Sequence, residues 1–240
     1  MGLAAVGRPL PLVPFLPLAR LGSMSARLHA KCFGSLAARP PLAMPGQRIG
    51  LLGGSFNPPH EAHVAISEAV MKRLGLDEVW WLVSPGNPLK SHTDLAPLSE
   101  RLAACRRLAV HPRIKVTGFE AALGSAATIV TLSVLRQRYP RTRFVWIMGG
   151  DNLAGFHRWS GWRRIAAMMP FVIADRPLWR LKALASPAGR ALARYRLGEG
   201  EAAGLACRKP PAWIYLTLPL SPLSSSEIRA GQGRKPRTDP

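Results

Sequence analysis

From Arg48 onward, short apolar runs alternate with stretches of helical periodicity, and this alternation limits the fold more than any other feature of the 240-residue chain. Strands are predicted at Arg48–Gly53, Glu78–Ser84, Ile114–Thr117, Arg143–Met148, Phe171–Ala174 and Trp213–Leu218. Between them, Val64, Ile66, Val70 and Leu74 give a helical pattern over His63–Leu74. Further helices are predicted at Ser99–Val110 (with Ser99 as cap), Thr128–Arg138 and Trp162–Ala167, with a last one starting at Ser225–Ala230. Strands spaced by helices at this interval form βαβ units, because parallel neighbours need a long crossover. The strands are apolar almost throughout, as burial on both faces requires. The expectation is an α/β fold, a doubly wound parallel sheet with helices on both faces. Residues 181–211 are rich in Ala, Arg and Gly and poorly patterned, and read as a helix-and-loop insertion before the last strand.

The domain boundaries follow from charge and proline. The first acidic residue is Glu61; residues 1–47 carry five basic residues, and Pro9, Pro11, Pro14 and Pro17 preclude a helical secretory core. An acid-free leader with Arg and Ser has the composition of a transit peptide, while Met24 and Met44 offer later starts; both readings stay open. The division expected is 1–47 as a disordered leader or mis-assigned start, 48–230 as the functional domain, and 231–240 as a flexible tail. Three scattered cysteines, Cys32, Cys105 and Cys207, supply neither a disulfide framework nor a zinc knuckle and suit a reducing compartment. No apolar run is long enough to span a bilayer. Lys and Arg total 33 against 13 Asp and Glu, a formal charge of +20, which favours anionic ligands. The arginines are spread along the chain, so charge alone identifies no patch.

Chemistry concentrates where the first strand ends, in Gly53-Gly54-Ser55-Phe56-Asn57-Pro58-Pro59-His60-Glu61-Ala62-His63. Two glycines let the backbone turn tightly and approach an anion, and Pro58-Pro59 stiffens the path into the helix. His60 and His63, three apart, project from one side of the first turn, where free N–H groups and the helix dipole favour negative charge. A metal reading of H-x-x-H lacks the H-x-x-x-H helical zinc spacing and a third ligand. The dinucleotide fingerprint G-x-G-x-x-G is absent, which counts against a nicotinamide-dependent dehydrogenase. A phosphate site remains.

GGSFNPPHEAH resembles the G-G-S/T-F-D/N-P-x-H-x-G-H signature of nucleotidyltransferases, most closely that of the nicotinate-nucleotide adenylyltransferase family. Matching segments follow in order: Val83–Lys90, Met148–Leu153, Trp159, Ala174–Pro177 and Leu223–Arg229, so the resemblance covers about residues 48–230. It implies a Rossmann-like sheet and transfer of the adenylyl group of ATP to nicotinate mononucleotide, giving nicotinate adenine dinucleotide and pyrophosphate in NAD biosynthesis. By the same resemblance His60 and His63 are catalytic. Gly53, Gly54, Ser55, Phe56, Ser225, Ser226 and Arg229 join them in binding ATP, and Asn57, Lys90, Thr128, Asp151, Trp159 and Arg176 bind the mononucleotide. Trp159 can face the pyridinium ring or pack in the core beside Trp146 and Trp162, and the sequence leaves both open. With few acids available, Mg²⁺ is expected to arrive with ATP rather than in a protein-built cage. A cytoplasmic enzyme is implied, with no nucleic-acid or membrane partner; homo-oligomer formation is left open. The chain departs from the family pattern at Ala62 (usually Gly), Ser226 (usually Thr), Ala127 (often Tyr) and Val130 (often acidic).

Two rivals frame the reading. A sister adenylyltransferase acting on nicotinamide mononucleotide or phosphopantetheine would keep the fold and both histidines. A basic nucleic-acid-binding module would explain the charge, but the chain lacks RNP, KH and zinc-finger patterns.

Overall fold

The computed structural model describes residues 39–86, 95–125 and 127–218. Lys90, Ser225, Ser226, Arg229, the last helix and the C-terminal tail lie outside the described residues. The elements are β1 (Arg48–Gly54), α1 (Glu61–Leu74), β2 (Glu78–Val83), α2 (Leu98–Leu108), β3 (Ile114–Thr117), α3 (Thr128–Arg138) and β4 (Arg143–Gly149). They continue with α4 (Gly150–Gly155), α5 (Trp162–Met168), β5 (Phe171–Ala174), α6 (Arg180–Ala185), α7 (Pro187–Ala191), β6 (Arg196–Leu197) and β7 (Trp213–Leu216). Tight 3₁₀ turns run over Phe119–Leu123, Phe156–Arg158, Ala193–Tyr195 and Glu199–Cys207.

All strand pairs are parallel, in the order β3-β2-β1-β4-β5-β7-β6. Leu51 stands opposite Trp80 of β2 and Trp146 of β4. The chain winds outward from β1 to β3 and then returns to lay β4 on the other side of β1. The β1/β4 pair is therefore the topological switch point, where a doubly wound sheet opens a crevice at the carboxyl ends of its strands. This is the expected doubly wound, Rossmann-like sheet.

Alternation within apolar strands explains why they look uniformly hydrophobic. Adjacent Trp80 and Trp81 enter opposite layers: Trp80 packs with Leu51, Phe144 and Trp146, whereas Trp81 packs with Leu52, Val145 and Ile147. Each face is covered, so neither half of the period is polar. Helix α1 stops at Gly75, which takes a left-handed conformation (φ 61°) and donates its N–H to the Met71 carbonyl. Helix α2 begins at Leu98 rather than at the predicted Ser99 cap, because Pro97 takes the capping position and its carbonyl accepts the Arg101 N–H. The insertion over residues 181–211 includes the two-residue strand β6, whose Arg196 and Leu197 align with Trp213 and Ile214 at the sheet edge. Two residues, one of them charged, leave no period to read.

Residues 39–47 lie against the domain. The carbonyls of Arg39, Pro41 and Met44 accept from the hydroxyls of Thr117, Tyr139 and Thr142 at 2.9, 2.9 and 3.2 Å.

Candidate active site

Both strands of the switch point run out through Gly-Gly: β1 ends in Gly53-Gly54, and β4 ends at Gly149 with Gly150 opening α4. At Gly53 a β-carbon would sit 2.5 Å from the Trp146 ring; at Gly149 it would strike the Asp151 carboxylate, and at Gly150 it would lie 2.8 Å from the Tyr215 hydroxyl. Close approach to a buried ring thus demands glycine at Gly53, while Gly149 faces the ends of flexible side chains, and the strand ends open at the crevice. Beyond Gly54 the backbone turns at Phe56, which has φ 48°, a conformation bulky residues seldom adopt, and the Asn57–Pro58 peptide is cis. The Phe56 ring is held beneath this turn by Trp81, with centroids 5.1 Å apart and nearly parallel planes, and it touches the His63 ring at 4.7 Å.

His60 is the N-cap of α1 and His63 its third residue, and their rings lie 4.0 Å apart, as the spacing predicts. The His60 backbone N–H donates to His63 Nδ1 at 3.2 Å. The same Nδ1 lies 3.2 Å from the His60 carbonyl, to which it donates in the other neutral tautomer. Burial, then the neighbouring His60 and finally Arg176 push the His63 pKa down to about 3, against a weaker opposing hydrogen bond to the His60 backbone. The ring is neutral at physiological pH. The first turn is fixed to the sheet from below: Ser67 donates to the His63 carbonyl at 2.7 Å and accepts from the Trp81 indole at 2.8 Å.

Arg176, just beyond β5, approaches Asp151 at 3.5 Å, and its charge reaches His63. The structure therefore gathers Gly53, Gly54, Ser55, Phe56, His60, His63, Asp151 and Arg176 at the carboxyl ends of β1, β4 and β5. Asn57 has a structural partner: its Oδ1 accepts the Ala96 N–H at 3.3 Å, tying the loop to the entry of α2. Thr128 is the first residue of α3, whose cap position, Ala127, brings no side-chain hydrogen bond. Ile129 packs over Gly161, which places this helix start beside the Trp159 turn. Trp159 is half-buried and meets Phe156 edge-on at 5.5 Å, packed against the core with part of its surface open. Ala62 is buried in α1 and takes an ordinary helical position.

Two buried charged residues escaped the sequence reading. Glu120 accepts from the Thr131 hydroxyl at 2.9 Å. Burial pushes its pKa up to about 7, against hydrogen bonds from Thr131 and Ser84. Arg101 is only 2% exposed. Its signal was present: Leu98, Arg101, Leu102 and Cys105 follow the i, i+3, i+4, i+7 spacing of an inward helical stripe, so a charge stands at an interior position.

Together, the sheet order and a cradle of glycines, imidazoles and an arginine at the switch point define a doubly wound α/β protein with a donor-rich crevice. A model of the cytidylyltransferase-like family matches residues 51–231. A probable nicotinate-nucleotide adenylyltransferase of Bradyrhizobium sp. (strain ORS 278) is 55% identical over 186 residues, covering 78% of this chain and 97% of that protein. Its counterpart in Rhizobium meliloti is 50% identical over 184 residues, covering 77% and 98%. Among solved structures, the Plasmodium falciparum nicotinic acid mononucleotide adenylyltransferase complexed with NaAD superposes with a TM-score of 0.58 at 18% identity, over 77% of this chain and 83% of that one. The fold is shared with it. The chain belongs to the nicotinate-nucleotide adenylyltransferase family, within the cytidylyltransferase-like group.

Proposed function

We propose that the protein joins ATP and nicotinate mononucleotide into nicotinate adenine dinucleotide, releasing pyrophosphate. The observation that carries this reading is the paired imidazoles at the N-terminus of α1, set between two glycine-ended strands and facing Arg176. In the reaction an ionised oxygen of the acceptor's 5′-phosphate forms a bond to the α-phosphorus of ATP. The bond from that phosphorus to the bridging oxygen breaks, and pyrophosphate leaves with the electron pair. The nucleophile is already largely ionised at neutral pH, so no strong base is needed. The protein's work is to align two anions in line and stabilise charge on the transferring group.

His63, neutral at physiological pH, can donate to a phosphoryl oxygen in its Nε2-protonated tautomer, and His60 beside it acts on the same group. The α1 dipole and Arg176 supply positive potential. Ser225, Ser226 and Arg229 are assigned to the leaving phosphates and Lys90 to the acceptor phosphate by family resemblance. Among the described residues no three His, Cys, Asp or Glu side chains gather as a metal site. Mg²⁺ bound to ATP would be held by phosphate oxygens and water, and would supply further charge neutralisation there.

At the acceptor end, Trp159 offers its open face to the pyridinium ring and Asp151 an acceptor to ribose hydroxyls. The start of α3, with no side-chain cap, presents backbone N–H groups that favour a ring carboxylate over a carboxamide. No helix among the described residues is long and apolar enough to cross a membrane. With ATP as donor, the reading implies a cytoplasmic enzyme.

The test is pyrophosphate release from ATP and Mg²⁺ with nicotinate or nicotinamide mononucleotide. The expected kcat/KM favours nicotinate by at least about tenfold, equivalent to about 1.4 kcal/mol. A preference for nicotinamide mononucleotide would overturn the substrate assignment. Trp159→Ala should weaken both mononucleotides and leave ATP affinity intact; an equal loss for ATP would return Trp159 to the core.

A further inference from the structure

A guanidinium buried without a carboxylate is costly, because the lost hydration is replaced only by dipoles. Arg101 is in this position: no Asp or Glu among the described residues forms an ion pair with it, and burial draws its pKa below the ordinary arginine value. Its donors go to backbone carbonyls instead. Nε reaches Ala96 at 2.8 Å, Nη1 reaches both Ser55 and Ser84 at 2.7 Å, and Nη2 reaches Pro85 at 3.4 Å. Packing alone would be served better by an apolar chain of this size.

The placement of those carbonyls gives the reason for the charge. The β1–β2 ladder ends with the Ser84 N–H donating to the Gly54 carbonyl at 2.9 Å, after which the strands part. The next two carbonyls, Ser55 and Ser84, converge on the same Nη1, so Arg101 supplies a rung where the sheet can no longer do so. Drawing the Ser55 carbonyl inward fixes the orientation of that peptide. Across a planar trans peptide the N–H points opposite to the C=O, so the Phe56 N–H faces away from Arg101. The same contact holds the turn at Phe56, from which the chain leads to the two histidines. On the β2 side the Ser84 hydroxyl, which donates to the Gly86 carbonyl at 2.9 Å and accepts from the Gly86 N–H at 3.3 Å, closes a turn whose two carbonyls Arg101 also holds.

We propose that Arg101 is a positioning residue for adenylyl transfer, a side-chain rung that sets the phosphate loop after β1 against the turn after β2. The proposal rests on the functional reading above. Lysine cannot replace the fork, since a single ammonium does not span carbonyls from separate segments in one plane. Arg101 also borders a cavity of about 660 Å³ lined by Pro85, Gly86, Ala96 and Glu120 among others, which gives a small ion a route to its place when the side chain is removed.

The experiment compares wild type with Arg101→Lys, Arg101→Met and Arg101→Ala. Arg101→Met is expected to lower kcat about 10²-fold, the scale of an ångström-sized misplacement, with a smaller change in the KM for ATP. Arg101→Lys should recover only part of it. In Arg101→Ala, millimolar ethylguanidinium should restore kcat saturably, whereas KCl at equal ionic strength should not. Hydrogen exchange should accelerate in residues 53–60 and 84–86 of Arg101→Lys and stay unchanged in β4 and β5. Wild-type kcat and unchanged exchange in Arg101→Met would overturn the proposal; so would a loss that follows Tm and resists rescue. If Arg101→Met and Arg101→Ala fail to fold, Arg101→Lys and its exchange pattern still decide it. A wild type that releases no pyrophosphate overturns the functional reading and the catalytic half of the proposal, while exchange still decides whether Arg101 joins the two loops.

Discussion

The two strands that meet at the switch point both run out through paired glycines, yet they are built on different physics. Behind the end of β1 lies mostly apolar matter, with the Arg101 fork at its edge: the Trp146 ring fills the space a Gly53 side chain would need, and Phe56 and Trp81 stack beneath the turn. Behind the ends of β4 and β5 lies a polar mesh. Asp151 meets Arg176, and Tyr215 donates to Asp175 at 2.9 Å while Arg180 approaches the same carboxylate at 3.5 Å. The β1 side therefore carries the neutral His63, with His60 against it, on a rigid floor, and the β4/β5 side carries charge on adjustable side chains. A site for two mutually repelling phosphate substrates needs both. Fixed donors define where the transferring group sits, and cations opposite to them lower the potential there.

The largest expected effect removes a donor from the rigid side. His60→Ala and His63→Ala are each expected to lower kcat by roughly 10²–10³-fold, the scale for losing one transition-state donor, with the fold retained by circular dichroism. Near wild-type turnover at saturating ATP would remove that histidine from the mechanism. A second comparison separates the two floors. Gly53→Ala forces a β-carbon against the Trp146 ring, which is 3% exposed and cannot withdraw, and overpacking of this kind costs about 1–3 kcal/mol. Gly149→Ala meets only the ends of Asp151 and Arg176, which are partly open to solvent and can move aside. Urea unfolding should show the first variant clearly destabilised and the second close to wild type. Mononucleotide KM should rise in the second, because the Asp151–Arg176 contact is displaced. Equal destabilisation of the two would show that the floors do not differ as described.

The neutral state of His63 has a consequence for stability. Its pKa is about 3 in the folded chain against an ordinary value of 6.5, so the unfolded chain takes up this proton first. The contribution is fully present above pH 6.5 and is lost as pH falls through the window toward 3. Wild type should therefore lose stability more steeply across that window than His63→Gln, in midpoints of urea unfolding measured at each pH. Parallel profiles would mean the ring is solvated and charged.

How far the sequence reached differs in the same way between the two sides. The β1 side was legible because its chemistry is local: strand, paired glycines, prolines and two histidines occupy sixteen consecutive residues, Arg48 to His63. The sheet was legible from the spacing of apolar runs, since a parallel sheet needs crossovers whatever fills them. The β4/β5 mesh was not, because Tyr215 and Arg180 meet Asp175 through contacts between distant residues that no period encodes. Arg101 was readable as a charge on an inward stripe, but its targets, four carbonyls from three segments, were not. The two-residue β6 left no pattern, and the carbonyls of Arg39, Pro41 and Met44, being backbone groups, announce no partner in sequence.

The smallest expected effect tests whether the two sides sense each other. Arg176 belongs to the charged side, yet it is among the causes that keep His63 neutral, after burial and His60. Arg176→Gln should therefore raise the His63 pKa slightly without approaching its ordinary value, because the larger causes remain. The ring-proton titration of His63, followed by NMR in the absence of nucleotide, reads this directly. Added salt should reproduce only a fraction of the shift, since screening is weak where a ring and a guanidinium face each other across a low-dielectric crevice. An unchanged titration in Arg176→Gln would place the guanidinium too far away to act on the imidazole. The positive potential credited to Arg176 over the transferring phosphate would then have to come from the α1 dipole, and the division of labour between a neutral, rigid side and a charged, adjustable one would no longer describe the site.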